Sequence, residues 1–203
     1  PCANLEIGDR NGPVYRFSEG FCQTSPQKRP VDADTLFDMA SVSKVMSVTM
    51  IALRFVEQGL LSLEDTMDRY YRDLPEASRG ITVRLTHTGG IPGSTSIVGR
   101  PPERIDEEIL ALPPAYPKGT GVQYACLGFI LLGRLLERVS GERLDSLAER
   151  LVFAPLGMER TGYAPKGDNI AATGGAPGLL GVVNDYNARY LGMPVGNAGV
   201  FSC

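Results

Sequence analysis

A serine and a lysine stand three positions apart where an apolar stretch of the sequence begins. Ser41 and Lys44 bound the run SVSK, and most of the residues from there to Gln58 are hydrophobic. Residues three apart lie on the same face of a helix, so the Ser41 hydroxyl and the Lys44 amine can approach each other. A serine hydroxyl is a poor nucleophile at neutral pH and needs a base beside it. The spacing therefore indicates a candidate nucleophile with its own base.

The apolar surroundings matter because a lysine in water is already protonated at neutral pH. Removing an amine from water disfavours its charged form, so a buried Lys44 can take a proton from Ser41. The first turn of a helix also offers free N–H groups and a positive dipole end, which would stabilise an oxyanion at the serine. Ser-x-x-Lys is a short pattern, however, and the alternative is a first-turn lysine that faces solvent.

Five stretches of the chain follow one another in an order that is typical of one enzyme superfamily. They are TLFDMASVSKVM, VRLTHTGGIPG, PKGTGVQYACLGFILLGRLLERVSG, FAPLGMERTGY, and NDYNARYLG followed by GNAGVFS. Through these stretches the chain resembles the serine β-lactamase and penicillin-binding-protein superfamily, especially its class-C-like branch of β-lactamases, esterases and DD-peptidases. The resemblance covers nearly the whole chain.

The resemblance implies a role for four residues. Ser41 would be the acylated nucleophile, Lys44 the general base, and Tyr124 the phenol that shares a proton with Lys44; which of the two takes the first proton stays open. Tyr124 also has a plainer interpretation as a packing aromatic at a helix entrance. Cys126 stands where many members have Asn or Ser, at a position that contacts the substrate. The implied partner is a small ester, amide or β-lactam, with no metal and no organic cofactor.

Cys126 is one of two departures from the pattern of the superfamily. A thiol is a weaker hydrogen-bond partner than an amide, which makes a small ester more plausible than a peptide or β-lactam substrate. A reactive Cys126 is the rival hypothesis. No histidine stands near it in the sequence, and we expect an inert, buried thiol.

The second departure concerns the third motif of the superfamily, Lys/His-[ST]-Gly. His87 begins one match, but it precedes Tyr124 instead of following it, and Arg160 begins another inside the PLGM segment. We therefore expect residues 1–203 to form a single catalytic domain that is truncated at its C-terminus, with a natural short form as the alternative. His87 is expected to hold its loop by hydrogen bonds, because without a G-x-S-x-G elbow a triad role is weak.

The predicted elements fit an α/β (α+β) fold with a helical region and an antiparallel sheet that is incomplete in this chain. A hairpin is predicted over residues 3–22, and a short strand or a helix entry over 35–39. The helix over 41–58 is apolar nearly all round, which predicts burial on every side. A capping box at Ser62 predicts a second short helix, and further helices are predicted over residues 104–112, 127–139 and 144–151. We place the helical subregion at approximately 62–160.

Composition excludes some classes of function. The net charge of −3 argues against a nucleic-acid surface, and no apolar run reaches the length of a membrane span. Four scattered cysteines favour a reducing, cytoplasmic compartment, with the cell envelope as the alternative if a signal peptide has been removed. The oligomeric state is left open. The rival function is a non-catalytic, penicillin-binding-like interaction module, and a third possibility, a purely helical binding domain, requires Lys44 and Tyr124 to lie far apart.

Overall fold

The N-terminal sheet is built on a long antiparallel hairpin. The computed structural model of the protein describes residues 2–83, 87–93, 95–173 and 179–203. Strand β1 (Cys2–Asp9) pairs with β2 (Gly12–Gln23), and β3 (Arg29–Pro30) extends the sheet on the far side of β2. Gly12 takes a φ of 125°, which a turn of this kind reserves for glycine. The hairpin predicted over residues 3–22 is confirmed.

A second, smaller sheet joins two distant parts of the chain. Strand β4 (Phe37–Asp38) pairs antiparallel with β5 (Phe201–Ser202). Strand β4 shows that residues 35–39, for which a short strand or a helix entry was predicted, contain a strand. Strand β5 was not predicted from the sequence, because two residues are too few to show the alternation of a strand. The pairing brings the C-terminal segment beside Ser41.

One continuous helical segment, residues 40–57, follows β4, and we call it the nucleophile helix. It opens as a 3₁₀ turn (Ala40–Val42), continues as a π-helix (Lys44–Thr49) and ends as α1 (Met50–Glu57). The helix was predicted, but its burial on every side was wrong. Val48, Ile51 and Phe55 are buried, whereas an outer face stands 41% to 57% exposed and comprises Val42, Val45, Met50 and Leu53. Apolar composition predicted contact all round, but the described residues cover only the inner face.

Three of the remaining α-helices lie where the sequence predicted them: α2 (Ile105–Leu110), α3 (Cys126–Ser140) and α4 (Leu144–Ala148). A fourth, α5 (Tyr186–Leu191), lies in a stretch for which no helix bounds were predicted. The α4 helix runs on as a π-helix (Glu149–Phe153) and a 3₁₀ turn (Ala154–Leu156). The helix predicted after Ser62 is wrong. The Ser62 N–H does donate to Asp65 at 2.8 Å, but the bond closes a turn, and only a 3₁₀ turn, Met67–Arg69, follows.

Helix α3 is at the centre of the core. Its fully buried side chains are Leu127, Ile130, Leu131, Leu135 and Leu136. Burying each such side chain contributes roughly 1.5–3 kcal/mol to the free energy of unfolding. The core side chains of α3 belong to the same cluster as those of the nucleophile helix, so the two helices are held together. Among the described residues, no helix is both long and apolar enough to cross a membrane.

These elements confirm the predicted α/β (α+β) class: helices beside antiparallel strands. The described residues contribute five strands, in one sheet of three and one of two. The interpretation of residues 1–203 as one domain, with a helical subregion near 62–160, stays a prediction.

Candidate active site

The turn that carries Ser41 is held from three directions. Asp38, at the end of β4, accepts the N–H of Ala40 at 2.8 Å through one carboxylate oxygen and the N–H of Asn184 at 2.7 Å through the other. The N–H of Met39 donates to the Val200 carbonyl at 2.9 Å. Ala40 itself has a φ of 44°, in the left-handed region that costs a non-glycine residue free energy. The surrounding hydrogen bonds thus impose a strained backbone immediately before Ser41.

Ser41 and Lys44 make the contact that their spacing predicts. The Lys44 Nζ lies 3.0 Å from the Ser41 Oγ and donates a second hydrogen bond, of 2.8 Å, to the carbonyl of Asn197. The Ser41 side chain is exposed, whereas Lys44 is only 4% exposed. In the part of the chain that the structure describes, no carboxylate pairs with Lys44. The hydroxyl is open to a substrate and the amine is withdrawn from water.

Tyr124 lies beside Lys44 but presents its ring to the amine. The Lys44 Nζ is 5.0 Å from the centroid of the Tyr124 ring and 5.7 Å from that of Phe129. Both are cation–π distances. Within residues 2–83, 87–93, 95–173 and 179–203, no hydrogen bond joins the Tyr124 hydroxyl to Ser41 or Lys44. The two side chains are close, so the separation that a purely helical binding domain requires is not found.

Cys126 is the first residue of α3, two positions after Tyr124. Its thiol is free and half-buried, as the other three cysteines are also free. Over the described part of the chain, Cys126 forms no hydrogen bond with Ser41, Lys44 or Tyr124. Its predicted contact with a substrate therefore stays a prediction.

The residues 196–199, which we call the GNAG loop, were recognised in the sequence as a motif but given no role. Asn197 supplies the carbonyl that binds Lys44. A Cβ atom on Gly196 would stand 2.0 Å from the Phe129 carbonyl oxygen, so only glycine fits there. The Asn197 side chain is fully buried, and in the described structure neither of its polar atoms has a hydrogen-bond partner. The close fit of Gly196 against α3 fixes the acceptor of Lys44.

Two further contacts fix the inner side of the nucleophile helix. The Ser43 hydroxyl accepts the N–H of Val200 at 3.0 Å. The Ser47 hydroxyl lies 2.9 Å from the Tyr163 hydroxyl, a residue of the FAPLGMERTGY stretch. Burial raises the pKa of Tyr163 far above its usual range, so its phenol is neutral and serves as a hydrogen-bond partner.

The family of the chain follows from its whole length. A family model described as Beta-lactamase matches residues 1–203. The chain belongs to the beta-lactamase family. The resemblance predicted from its five stretches is thereby confirmed, although residues 84–86 of the VRLTHTGGIPG stretch lie outside the described residues.

Named relatives within the beta-lactamase family include hydrolases. Esterase EstB of Burkholderia gladioli is 31% identical over 78% of this chain and 46% of its own length. A putative D-alanyl-D-alanine carboxypeptidase of Escherichia coli (strain K12) is 28% identical over 100% of this chain and 57% of its own. The solved structure of EstCE1, a hydrolase with promiscuous acyltransferase activity, shares the fold. Its TM-score is 0.76 at 24% identity, over 99% of this chain and 64% of that one. The chain spans about half the length of the curated relatives it matches.

Proposed function

We propose that this member of the beta-lactamase family is a serine hydrolase that forms an acyl-enzyme at Ser41. The observation that carries the proposal is the 3.0 Å contact between the Ser41 Oγ and the Lys44 Nζ, with the hydroxyl exposed and the amine buried. A nucleophile within hydrogen-bond reach of a base that is itself oriented by a third group is typical of covalent catalysis. Here the third group is the Asn197 carbonyl.

The chemistry follows from these contacts. The step requires Lys44 to give up a proton first; its free amine then takes the Ser41 proton while the Oγ bonds to the carbonyl carbon of the substrate. The carbonyl oxygen becomes an oxyanion, for which the N–H of Ser41 in the first helical turn is our proposed donor. The bond to the leaving group then breaks, and the proton passes from Lys44 to that group, directly or through the Tyr124 hydroxyl. A water molecule releases the acyl group by the reverse proton path.

A small ester is the substrate class that we favour among esters, amides and β-lactams. Cys126 stands where, by the resemblance, many members have Asn or Ser, and a thiol is the weaker hydrogen-bond partner for the amide of a peptide-like substrate. The similarity to esterase EstB supports the same choice. The proposal routes no step through a metal or an organic cofactor.

The test is covalent labelling of the nucleophile. The protein is incubated with a fluorophosphonate, which transfers its phosphonyl group to an activated serine with loss of fluoride, and its intact mass is measured. We expect one adduct on the unaltered chain and on Ser146→Ala, which removes an exposed serine of α4, and none on Ser41→Ala. A folded, unaltered chain that gains no adduct would refute the hydrolase.

A second candidate, a penicillin-binding module without turnover, is favoured by one observation. The Tyr124 hydroxyl is not hydrogen-bonded to Ser41 or Lys44 in the described structure, so the second proton step lacks a formed path. In that case Ser41 still reacts once. We distinguish the two with a small ester and a penicillin. Repeated release of product supports the hydrolase, and an adduct that persists for hours with no product beyond one equivalent supports the binding module.

A further inference from the structure

His87 holds the backbone on both sides of Tyr124. Its carbonyl accepts the N–H of Gln123 at 2.9 Å, and its imidazole Nδ1 accepts the N–H of Ala125 at 3.0 Å. The Tyr116 hydroxyl donates to the same carbonyl at 2.6 Å. His87 has a φ of 61°, in the left-handed region. In this conformation one residue binds both Gln123 and Ala125, the two neighbours of Tyr124.

The imidazole also contacts the Tyr124 side chain directly. The two ring centroids are 4.7 Å apart, and the ring planes are tilted by 36°. The ring of Phe129, a residue of α3, has its centroid 5.3 Å from that of the imidazole. Lys44 lies over the same two aromatic rings, so His87 and Lys44 share Tyr124 and Phe129 as neighbours. The backbone and the ring of Tyr124 are thus positioned by one residue that does not itself reach Ser41.

The hydrogen bond at Nδ1 fixes the protonation state of the ring. A nitrogen that accepts a backbone N–H carries no proton, so His87 is the neutral tautomer with its proton on Nε2. Adding a proton at Nδ1 would set two donors against each other and place a second positive charge near Lys44. Burial, and then the charge of Lys44, lower the pKa of His87 from its usual 6.5. Among the described residues, the groups near the ring are Lys44, the phenol of Tyr124 and the apolar Phe129.

We propose that neutral His87 is a positioning residue that holds Tyr124 over the Lys44 amine, and that a proton on its Nδ1 releases Tyr124. This rests on the proposed hydrolase, in which Tyr124 carries a proton. The consequence is a loss of activity on acidification. The bond to Ala125 is present above the pKa of His87 and is lost as the pH falls through it, and that pKa lies below 6.5.

Two variants separate the hydrogen bond from the ring and from the backbone conformation. His87→Asn places an amide oxygen near the position of Nδ1 and tolerates a positive φ, but it does not titrate. His87→Gly tolerates the same φ and lacks the side-chain acceptor for the N–H of Ala125, while the backbone carbonyl of residue 87 remains. We measure the rate of fluorophosphonate labelling of Ser41 from about pH 5 to about pH 8, where histidine titrates. Thermal unfolding checks that each variant is folded.

At neutral pH we expect His87→Gly to label roughly 10- to 100-fold more slowly than the unaltered chain, because Tyr124 is no longer held in place. His87→Asn should restore most of this rate and should lack the decline below the pKa of His87. If folded His87→Gly labels as fast as the unaltered chain, the positioning role is overturned. If His87→Asn keeps the acidic decline, the proton acts elsewhere and the release step is overturned.

One measurement does not depend on catalysis. His87 is the only histidine of the chain, so its imidazole nitrogen resonances in a ¹⁵N-labelled sample need no assignment. We expect the Nε2–H tautomer at neutral pH and a pKa below 6.5. An Nδ1–H tautomer would overturn the inference even if labelling succeeds. The expected tautomer with no labelling at all would instead refute the hydrolase, while the contact between His87 and Ala125 would stand.

Discussion

The two groups that would move protons in this site are held in different ways. Lys44 is buried on a helix, and both of its acceptors, the Ser41 hydroxyl and the Asn197 carbonyl, belong to the same tightly packed region. Tyr124 is 54% exposed, precedes α3 in an extended segment, and is bound through its neighbours by His87. The base is fixed by the core, whereas the phenol depends on a loop. Damage to the first should abolish chemistry, and damage to the second should reduce it.

The largest expected effect comes from Lys44→Met, which keeps most of the length of the side chain and removes the amine. Loss of the base should slow labelling of Ser41 by roughly 10²- to 10⁴-fold. The matched control is Lys166→Met at an exposed lysine, which should label at the normal rate. Labelling is followed by intact mass over time. A normal rate in Lys44→Met would mean that the base lies elsewhere.

Gly196→Ala tests how firmly the core fixes the Lys44 acceptor. The added methyl meets the Phe129 carbonyl at 2.0 Å, and overpacking of this kind costs about 1–3 kcal/mol of unfolding free energy. Gly162→Ala is the control, since a methyl there meets nothing within 4 Å. Urea denaturation compares the two variants. Equal stability would show that the GNAG loop yields easily and that Lys44 is less rigidly held than its contacts indicate.

Tyr124→Phe tests whether the exposed phenol takes part in proton transfer. The variant keeps the ring over Lys44 and loses the hydroxyl. If the hydroxyl relays a proton, the rate of ester hydrolysis should fall by about 10-fold or more. Tyr124→Leu, which also removes the ring, should be slower still. Full turnover in Tyr124→Phe would leave Tyr124 with a packing role alone, and Lys44 would then carry the proton unaided.

The smallest effect is expected at the pair formed by Ser47 and Tyr163. Tyr163→Phe removes the partner of the buried Ser47 hydroxyl and should cost about 1 kcal/mol of unfolding free energy. The double variant Ser47→Ala, Tyr163→Phe removes both hydroxyls and should be closer to the unaltered chain than the sum of the single changes. Additive losses, measured by denaturation, would contradict a direct hydrogen bond.

The site could be predicted from the sequence as far as its contacts are local. Ser41 and Lys44 are three residues apart, and the period of a helix alone brings them together. The acceptor of Lys44 could not be found in this way, because Asn197 is 153 positions distant in the sequence. The acceptor is also a backbone carbonyl, which every residue has, so the residue type gives no signal. His87 was expected to hold its loop, but nothing in the sequence said that the segment held was that of Tyr124.

The fold was predictable within similar limits. The turn residues Asn11 and Gly12 identified the hairpin. Hydrophobic period identified helix α3, because a long helix repeats its pattern several times. The outer face of the nucleophile helix was misjudged, since composition records that Val45 is apolar but not what covers it. The capping box at Ser62 forms one of its hydrogen bonds without a helix, because that bond closes a local turn and needs no helix after it.

The strained turn before Ser41 has a consequence for how the protein is made. Met39 and Ser43 are bound to Val200, and Ser43 is 157 positions from its partner. Contacts between residues so far apart in sequence are slow to form, because a long loop must close, at a cost in entropy, before the contact stabilises the chain. A ribosome releases Ser41 long before Val200, so helices α1 and α3 are free to pack while the nucleophile still has no fixed geometry. The chain therefore acquires the geometry of its reactive serine only after Val200 has been synthesised.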